Sequence, residues 1–449
     1  MDELIISVSG LRGIVGQSLT PEVAGRFASA FSHCLPPGQV VVTRDGRASG
    51  PLLAASIADA LTGRGREVVS AGVAATPTTG VLVRRLNCVG GIQISASHNP
   101  AEYNGIKLFN ADGRVIPADE GERVRAAFLE GRVEEPTSTS PGKTIELVDS
   151  TSAHLDLICG AVDVGRIRAK SFPVLLDSNH GAGALLGRRL LESLGCRVTV
   201  LGETPDGAFD HTPEPTAENL TGVAQQARES GAAVAFCQDP DADRLALIDE
   251  NGRYVGEEYT LAVCVNHVLS QSPGPVVTNC STSRMTQDIA ARHGVPFHHS
   301  AVGEANVVDK MLLAGAVIGG EGNGGVIDPR IVYVRDSFIS MALVLEAMAT
   351  RGLPLGALVD ELPRYAIHKA KVAVPRDRIP AALAALEQHF TTAQANHADG
   401  LRLDWPDGRW LLMRASNTEP IVRLFCEAST EIDAASTVRE AEAVMQPVC

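Results

Sequence analysis

A serine and a histidine stand side by side on a polar stretch between two apolar segments of the chain. Ser97 and His98 follow a short apolar run around Ile92, and Lys107 lies ten residues after Ser97 in a second apolar run. Pro100 lacks an N–H and restricts the residue before it to extended geometry, so a helix cannot begin at once. The polar stretch is therefore predicted to be a loop that presents a hydroxyl for nucleophilic chemistry.

Two interpretations of this loop are open from the Ser-His pair alone. The Asn-Pro and Asn-Gly dipeptides explain the spacing as turns, in which Ser97 is a solvated loop residue. A serine hydrolase is the other interpretation, but the strand-to-helix elbow G-x-S-x-G does not surround Ser97. The remaining motifs of the chain have to decide between them.

Three aspartates alternate along a stretch that follows a predicted strand. Asp239, Asp241 and Asp243 come after an apolar run ending near Phe236, and Arg244 follows them directly. In extended geometry alternate side chains share a face, so the three carboxylates can converge. Their repulsion is relieved by a hard divalent cation such as Mg²⁺, which favours a few carboxylates plus a phosphate oxygen. The pattern favours a metal site over an acidic surface turn.

Two further stretches carry groups suited to binding hydroxyl groups and a phosphate. Glu321 and Asn323 lie among glycines, where backbone can approach a ligand and a carboxylate with an amide can bind two hydroxyls. Nearer the C-terminal end, a stretch offers charge and convergent donors, as a phosphate dianion requires. Its candidate residues are Arg414, Ser416, Asn417, Thr418 and Arg423. The alternatives are a plain glycine-rich turn for the first stretch and a capped turn before a strand for the second.

The elements that would position these loops follow a repeated pattern. Segments that begin near residues 40, 173 and 275 each contain a β-branched run, a polar loop, an apolar-periodic helix and a second strand. This is the unit of a parallel α/β sheet, so three similar α/β domains are predicted, followed by a small α+β domain. We place these domains at residues 1–150, 151–249, 250–365 and 366–449. Within the first domain, the glycines around Arg12 predict a tight turn that aims its guanidinium inward or leaves it solvated.

Length, charge and cysteine usage limit the class of partner. The chain has 449 residues, too many for one core, and its net charge of −14 argues against nucleic acid and anionic membrane surfaces. No apolar run reaches membrane-spanning length, and the acidic start is unlike a signal peptide. Nine scattered cysteines without a C-x-x-C pair favour a reducing cytoplasm. We expect a monomer or a homodimer.

Taken together and in this order, the four loops resemble the α-D-phosphohexomutase superfamily over essentially the whole chain. The matching motifs are S-A-S-H-N-P with N-G-x-K, D-x-D-x-D-R, G-E-x-x-G and R-x-S-N-T-E-P. The resemblance implies an α/β fold, with three similar α/β domains of mixed sheets and a C-terminal α+β domain around a central cleft. It further implies a Mg²⁺-dependent mutase that acts on a small sugar phosphate, with a hexose 1,6-bisphosphate as intermediate and activator.

The same resemblance implies a role for each matching residue. Ser97 resembles the serine that members carry as phosphoserine, and Lys107 is the candidate general acid or base. By resemblance, the catalytic residues are Ser97, His98, Lys107, Arg12 and Arg244; the metal ligands are Ser97, Asp239, Asp241 and Asp243; and the substrate-binding residues are Glu321, Asn323, Arg414, Ser416, Asn417, Thr418 and Arg423.

Departures from the motifs bear on the choice of sugar. Asn323 and Gly325 stand where many bacterial members have serine and histidine, and Glu304 stands where phosphomannomutase/phosphoglucomutase members tend to have histidine. These departures resemble a branch often assigned as phosphoglucosamine mutases. We therefore expect interconversion of glucosamine 6-phosphate and glucosamine 1-phosphate. Phosphomannomutase/phosphoglucomutase activity is one alternative, and a non-catalytic sugar-phosphate-binding protein is another, from a different class.

Overall fold

Four β-sheets follow one another along the chain in a computed structural model that describes residues 4–131, 140–415 and 421–446. The first three sheets are mixed and the fourth is antiparallel, which confirms the predicted fold class. The sheets use residues 5–146, 173–249, 276–327 and 366–428, and the predicted domain limits fall between them. Among the described residues, no helix has the length and apolar character needed to cross a membrane.

The first sheet has seven strands in the order β1-β2-β6-β5-β3-β4-β7. Its strands are β1 (Ile5–Ser7), β2 (Gly10–Ile14), β3 (Val40–Arg44), β4 (Val68–Val73), β5 (Gly90–Ile94), β6 (Tyr103–Asn110) and β7 (Thr144–Glu146), and its helices are α1 (Pro21–Cys34), α2 (Gly50–Thr62), α3 (Thr76–Arg85) and α4 (Ala118–Leu129). Strand β3 runs parallel to β4 and β5, whereas β5 and β6 are antiparallel. The connection between β5 and β6, residues 95–102, is the serine loop.

The second sheet has four strands in the order β11-β10-β8-β9. Its strands are β8 (Pro173–Asp177), β9 (Arg197–Leu201), β10 (Val234–Gln238) and β11 (Leu245–Asp249), and the helices of this part are α5 (Ser152–Ala161), α6 (Val164–Arg168), α7 (Gly183–Ser193) and α8 (Thr221–Ser230). Strands β10 and β11 form a fully buried antiparallel pair. Residues 239–244, the aspartate loop, connect them.

The third sheet repeats this arrangement in the order β13-β12-β14-β15. Its strands are β12 (Val276–Asn279), β13 (Phe297–Ser300), β14 (Ile318–Glu321) and β15 (Gly325–Ile327), and its helices are α9 (Glu257–Gln271), α10 (Met285–Arg292), α11 (Glu304–Ala314), α12 (Ser337–Arg351) and α13 (Leu355–Asp360). Strands β14 and β15 form a short antiparallel hairpin, and residues 319–325 around its turn are the glycine loop.

The fourth sheet is antiparallel, in the order β16-β20-β19-β18-β17. Its strands are β16 (Ala366–Ala373), β17 (Gln394–Asn396), β18 (Leu401–Asp404), β19 (Trp410–Ala415) and β20 (Ile421–Ala428), and it carries α14 (Ile379–His389), α15 (Glu431–Met445) and a 3-10 turn at Arg376–Arg378. Strands β17, β18 and β19 follow one another as antiparallel neighbours, whereas α14 connects β16 at one edge to β17 at the other.

The apolar core is divided unequally among the sheets. One buried cluster extends from Val41 to Leu362 and therefore joins the first three sheets through helices such as α12. The fourth sheet has its own cluster, from Val374 to Met445. Within residues 4–131, 140–415 and 421–446, one small buried apolar cluster, of Cys280, Trp410 and Leu412, lies between the third and fourth sheets. The first three domains are thus held together by shared apolar burial, which the fourth domain largely lacks.

Two local expectations were wrong in their geometry. Arg12 lies inside strand β2 and not in a tight turn, because β2 pairs with both β1 and β6. The aspartate loop is not extended, because Ala242 takes a positive φ of 55° and the backbone turns there. The three carboxylates nevertheless converge, since a tight turn also brings side chains of neighbouring residues to one side.

Candidate active site

The serine loop is held by a buried arginine that the motif analysis did not single out. Arg47 donates hydrogen bonds to four carbonyl oxygens of the loop and its end, at 2.7 Å to Ser97, 2.6 Å to Asn99, 2.7 Å to Pro100 and 3.1 Å to Tyr103. A guanidinium offers five donors in a rigid fork, so one side chain can bind several carbonyls at once. Arg47 therefore fixes the backbone that carries the Ser97 hydroxyl.

A carboxylate under the same loop completes this support. Asp45 accepts from Arg47 Nε at 3.1 Å and from Ser95 Oγ at 2.7 Å. Ser95 Oγ in turn accepts from the Ser97 backbone N–H at 2.9 Å. Burial is the main cause that raises the pKa of Asp45, and the charge of Arg47 opposes it. These contacts leave the Ser97 side chain free to point toward the second domain.

The Ser97 hydroxyl lies beside the aspartate cluster. Ser97 Oγ donates to Asp239 Oδ2 at 2.8 Å, although the two residues are 142 positions apart in the chain. One ligand atom from each of Asp239, Asp241 and Asp243 lies within 4.8 Å of the others, and all three residues are buried. Ser97 itself has a positive φ of 51°, which is uncommon for a residue other than glycine. The structure therefore brings together the four residues predicted as metal ligands.

The protonation preferences of the three carboxylates differ. Burial and then the charges of Asp243 and Asp241 raise the pKa of Asp239 well above its ordinary value. Burial also opposes ionisation of Asp241, but the charge of Lys107 together with hydrogen bonds from Lys107 and Thr76 outweighs it and holds the pKa of Asp241 below the usual range. Asp239 thus resists ionisation beside the other two carboxylates, and a cation among the three would relieve this repulsion.

Lys107 bridges two of these carboxylates. Its Nζ lies 2.6 Å from Asp241 Oδ2 and 2.9 Å from Asp243 Oδ2. Burial opposes the charge on Lys107, but Asp241 and Asp243 outweigh it and raise the pKa of Lys107. Lys107 is thus an ammonium held between two of the aspartates.

His98, Arg12 and Arg244 surround the serine more loosely. His98 Nδ1 lies 3.5 Å from Ser97 Oγ, and burial followed by the charges of Arg244 and Arg12 lowers the pKa of His98 to about 3. Arg12 Nη1 donates to Asn99 Oδ1 at 2.7 Å. Arg244 Nε lies 3.8 Å from Asp243 Oδ1. The two arginines leave donors available for an anion near the serine loop.

A second buried arginine connects the aspartate loop to the glycine loop. Arg335 donates to Asp243 Oδ2 at 2.6 Å, to Glu304 Oε2 at 2.7 Å and to Glu321 Oε2 at 2.9 Å. The other oxygen of Glu321 accepts from Asn279 Nδ2 at 2.8 Å. From sequence, Arg335 could equally line the cleft or form an ordinary ion pair. In the structure it does both.

The glycine loop packs directly on the end of the aspartate loop. Gly324 has a φ of 82°, and a Cβ there would lie 2.2 Å from the Leu245 carbonyl oxygen. Leu245 N also donates to Gly324 O at 3.1 Å. Glycine is required at this position because of both the backbone conformation and the close approach. The glycine loop, which carries Glu321 and Asn323, is therefore placed against the end of the aspartate loop.

The predicted phosphate-binding residues are only partly described. Arg414 and Arg423 occupy directly paired positions on β19 and β20, and Arg414 Nε lies 3.1 Å from Asp399 Oδ2. Like charges on paired positions repel each other, so an anion between them would be favourable. Ser416, Asn417 and Thr418 lie outside the described residues. Asp399 also accepts from Val302 N at 2.9 Å and so links the third and fourth domains.

Profiles of one family match successive parts of the chain. They are described as phosphoglucomutase/phosphomannomutase, alpha/beta/alpha domain I at residues 4–134, domain II at 136–252, domain III at 257–365 and the C-terminal domain at 370–444. The order of the four matches follows the order of the four sheets. The matched domains thus cover most of the chain, including the serine, aspartate and glycine loops.

Relatives and solved structures extend this similarity over nearly the full length. The chain is 37% identical to a phosphoglucomutase/phosphomannomutase of Thermococcus kodakarensis, covering 94% of each chain. It is 33% identical to a protein of Methanopyrus kandleri named probable phosphoglucosamine mutase, covering 94% of this chain and 93% of the relative. A solved phosphoglucomutase/phosphomannomutase family protein of Burkholderia thailandensis has a TM-score of 0.87 at 27% identity, covering 99% of this chain and 98% of that one.

Proposed function

The chain belongs to the phosphoglucomutase/phosphomannomutase family of the α-D-phosphohexomutase superfamily, and we propose that it interconverts glucosamine 6-phosphate and glucosamine 1-phosphate. Members of this family are isomerases that transfer phosphate within a sugar. The proposal therefore concerns which sugar is used and which residues act. Its main structural support is the Ser97 hydroxyl, hydrogen-bonded to Asp239 within a cluster of three aspartates.

The residues around Ser97 fit a magnesium ion. Asp241 Oδ1 and Asp243 Oδ1 are buried and accept no hydrogen bond from the described residues. With Asp239 and the oxygen on Ser97 they form a set of hard oxygen donors, which Mg²⁺ prefers. When bound, Mg²⁺ would supply positive charge that stabilises the transferring phosphoryl group. We assign Ser97, Asp239, Asp241 and Asp243 as its ligands.

The chemistry proposed for the chain's own residues is a pair of phosphoryl transfers. Phosphoserine at Ser97 gives its phosphoryl group to a sugar hydroxyl: the Oγ–P bond breaks, a sugar O–P bond forms, and a hexose bisphosphate results. The sugar hydroxyl's proton goes to a neighbouring base. Lys107 is the candidate general acid or base, and because it is an ammonium while paired with Asp241 and Asp243, it can take this proton only after it has lost one of its own to solvent. After the bisphosphate turns over, Ser97 recovers the other phosphoryl group. Arg12 and Arg244 offset charge during transfer.

The other loops are proposed to hold the sugar in either orientation. Glu321 and Asn323 bind its hydroxyl groups, and the paired Arg414 and Arg423 hold the phosphate that does not react, together with the predicted residues of the same stretch. Separate groups for the sugar hydroxyls and for the phosphate suit a substrate that must bind in two orientations. It requires that the hydroxyl-binding and phosphate-binding groups lie on different domains, as the glycine loop and β19 do.

The amino sugar is favoured by the departures in the glycine loop and by the relative named phosphoglucosamine mutase. Phosphomannomutase/phosphoglucomutase activity is the second candidate, because the relative with 37% identity carries that name. We also propose a cytoplasmic location, since the eight cysteines among the described residues are free thiols.

The test is a mutase assay with Mg²⁺ and a hexose 1,6-bisphosphate as activator. Turnover of glucosamine, glucose and mannose 6-phosphates is compared for the wild type, for Ser97→Ala and for Ser70→Ala, a surface serine as control. We expect the highest kcat/KM with glucosamine 6-phosphate, its loss in Ser97→Ala, and one phosphoryl group on Ser97 by mass spectrometry. Higher turnover of the neutral sugars would favour the second candidate. Binding of sugar phosphates without any turnover would instead indicate a non-catalytic binder.

A further inference from the structure

One oxygen of a buried glutamate beside the glycine loop has no partner. Glu304 begins helix α11, and its side chain is only 8% exposed. Its Oε2 accepts from Arg335 Nε at 2.7 Å, but its Oε1 is buried and receives no hydrogen bond from the described residues. A bare carboxylate oxygen away from water is costly, and most buried polar atoms are satisfied. We therefore expect Glu304 Oε1 to accept a hydrogen bond from a ligand.

The charge around Glu304 favours a positively charged donor. Arg335 is shared among Glu304, Glu321 and Asp243, so one guanidinium serves three carboxylates. The nearby ammonium of Lys107 is hydrogen-bonded to the aspartates and not to Glu304. A region with more negative than positive side chains at short range stabilises a cation more than a neutral hydroxyl.

Glu304 shares hydrogen-bond partners with Glu321, which is proposed to bind sugar hydroxyls. The residue before it, Gly303, donates its N–H to Glu321 Oε1 at 3.2 Å. Arg335 binds Oε2 of both glutamates. A cation that reaches Glu304 Oε1 would therefore lie next to the groups bound at Glu321. A small molecule that presents an ammonium adjacent to hydroxyls is a 2-amino sugar.

We propose that Glu304 is a specificity-determining residue whose free Oε1 accepts a hydrogen bond from the ammonium group of an amino-sugar phosphate. The inference rests on the proposed function and names the residue that would distinguish an amino sugar from a neutral one. Glucose and mannose phosphates would leave this carboxylate oxygen with a weaker, uncharged donor. The alternative is that Glu304 only anchors Arg335 and has no influence on which sugar is preferred.

Glu304→Gln tests this because glutamine keeps an acceptor for Arg335 and removes the charge. Asp309→Asn, an exposed residue of the same helix, is the control for an equal change in net charge. The measurement is kcat/KM with glucosamine, glucose and N-acetylglucosamine 6-phosphates. We expect the glucosamine-to-glucose ratio to fall about 10- to 100-fold in Glu304→Gln, the scale of a hydrogen bond between charged groups, and to stay unchanged in Asp309→Asn. The effect on the uncharged N-acetyl sugar should follow that on glucose 6-phosphate.

An equal loss of kcat/KM on all sugars would overturn the inference, because it would show that Glu304 only positions Arg335. The inference would also be overturned if the wild type prefers glucosamine 6-phosphate and Glu304→Gln leaves the glucosamine-to-glucose ratio of kcat/KM unchanged. The proposed function would stand in that case. If the wild type prefers neutral sugars but the glucosamine-to-glucose ratio still falls in Glu304→Gln, the result would support Glu304 as the amine-binding residue. It would reject glucosamine phosphate as the proposed substrate. If Glu304→Gln does not fold, Glu304→Asp should lower the same ratio, since it withdraws the oxygen.

Discussion

At the scale of single residues, the site depends on two buried arginines that bind protein groups and not only ligands. Arg47 holds the serine loop by its carbonyls, and this offsets the unfavourable positive φ of Ser97, which costs of the order of 1–3 kcal/mol. Arg335 joins three carboxylates from separate parts of the chain. In both cases the rigid, always charged guanidinium is required, and lysine could not make the same set of bonds.

Arg47→Lys should therefore impair catalysis as well as stability. We expect a loss of about 2–4 kcal/mol in the free energy of unfolding, because several buried carbonyls lose their donor, and a fall in kcat of about 10-fold or more. Arg66→Lys is the matched control, since Arg66 also donates to carbonyls, including those of Ser32 and Leu35, but supports no part of the site. It should lose stability with little change in kcat. Equal kcat values for the two variants would contradict the role assigned to Arg47.

At the scale of elements, a connection in the second domain packs against the arginine that holds the serine loop. Phe209, on the connection between β9 and α8, lies under Arg47, with its ring centre 5.0 Å from the guanidinium carbon. The same connection carries His211, whose Nε2 lies 2.9 Å from Asp177 Oδ2 and whose Nδ1 lies 2.9 Å from the Thr212 carbonyl oxygen. Both ring nitrogens face acceptors, so the charged imidazolium is the form that this loop binds best.

His211→Gln should make stability depend less on pH. Burial lowers the pKa of His211, but the hydrogen bond and charge of Asp177 outweigh it, so the folded-state pKa is raised above its ordinary value of 6.5. The stabilisation is therefore fully present below about pH 6.5 and is lost as the pH rises through the higher folded-state value. We expect the variant to lose about 1 kcal/mol relative to wild type at pH 6 and less at pH 9, measured by denaturant unfolding.

His397→Gln serves as the control for this pH dependence, because His397 is 58% exposed. It should show no difference between the two pH values. A deficit in His211→Gln that is the same at pH 6 and pH 9 would contradict the imidazolium assignment.

At the scale of the whole molecule, three domains share one core and one polar junction, and the fourth is attached by fewer contacts. His154 is fully buried; its Nδ1 lies 3.0 Å from Thr78 Oγ1 of the first domain, and its Nε2 lies 2.8 Å from Asp336 Oδ2 of the third. Asp336 also caps helix α12, directly after Arg335. His154 thus connects the first and third domains through a buried polar junction.

This division predicts two unfolding transitions in calorimetry. Leu386→Ala removes a fully buried side chain from the fourth domain's cluster, and Leu345→Ala removes one from the cluster shared by the other three. Each should cost about 2–5 kcal/mol. We expect Leu386→Ala to lower the midpoint of one transition only, and Leu345→Ala to lower that of the other. A single transition lowered equally by both changes would show that all four domains unfold together.

The local elements and the family could be predicted from sequence because both depend on neighbouring residues. The repeated strand–loop–helix–strand pattern predicted the parallel units that β3–β4, β8–β9 and β12–β13 form. Thr followed by Pro is a typical helix start, and α1 begins at Pro21 with Thr20 accepting from Val23 N. The four loops were recognisable because each keeps its chemistry within a few consecutive positions. Their assignment to roles in the reaction stays a prediction.

The contacts that join the loops were decided by the tertiary structure. Ser97 meets Asp239 across 142 positions, and Asp243 meets Arg335 across 92. Neither separation has a period or a spacing that could be detected in one chain, since such pairs are formed by the packing of separate domains. The support of the serine loop by Arg47 and Asp45 was missed because these residues lie 50 positions before the loop and meet it only through the pairing of β3 with β5. The free oxygen of Glu304 was missed because only its burial in the structure shows that it lacks a partner. The sequence by itself determined which chemical groups are available. The tertiary structure decided which of these groups lie close enough to interact, because burial and distance set the strength of electrostatic interactions.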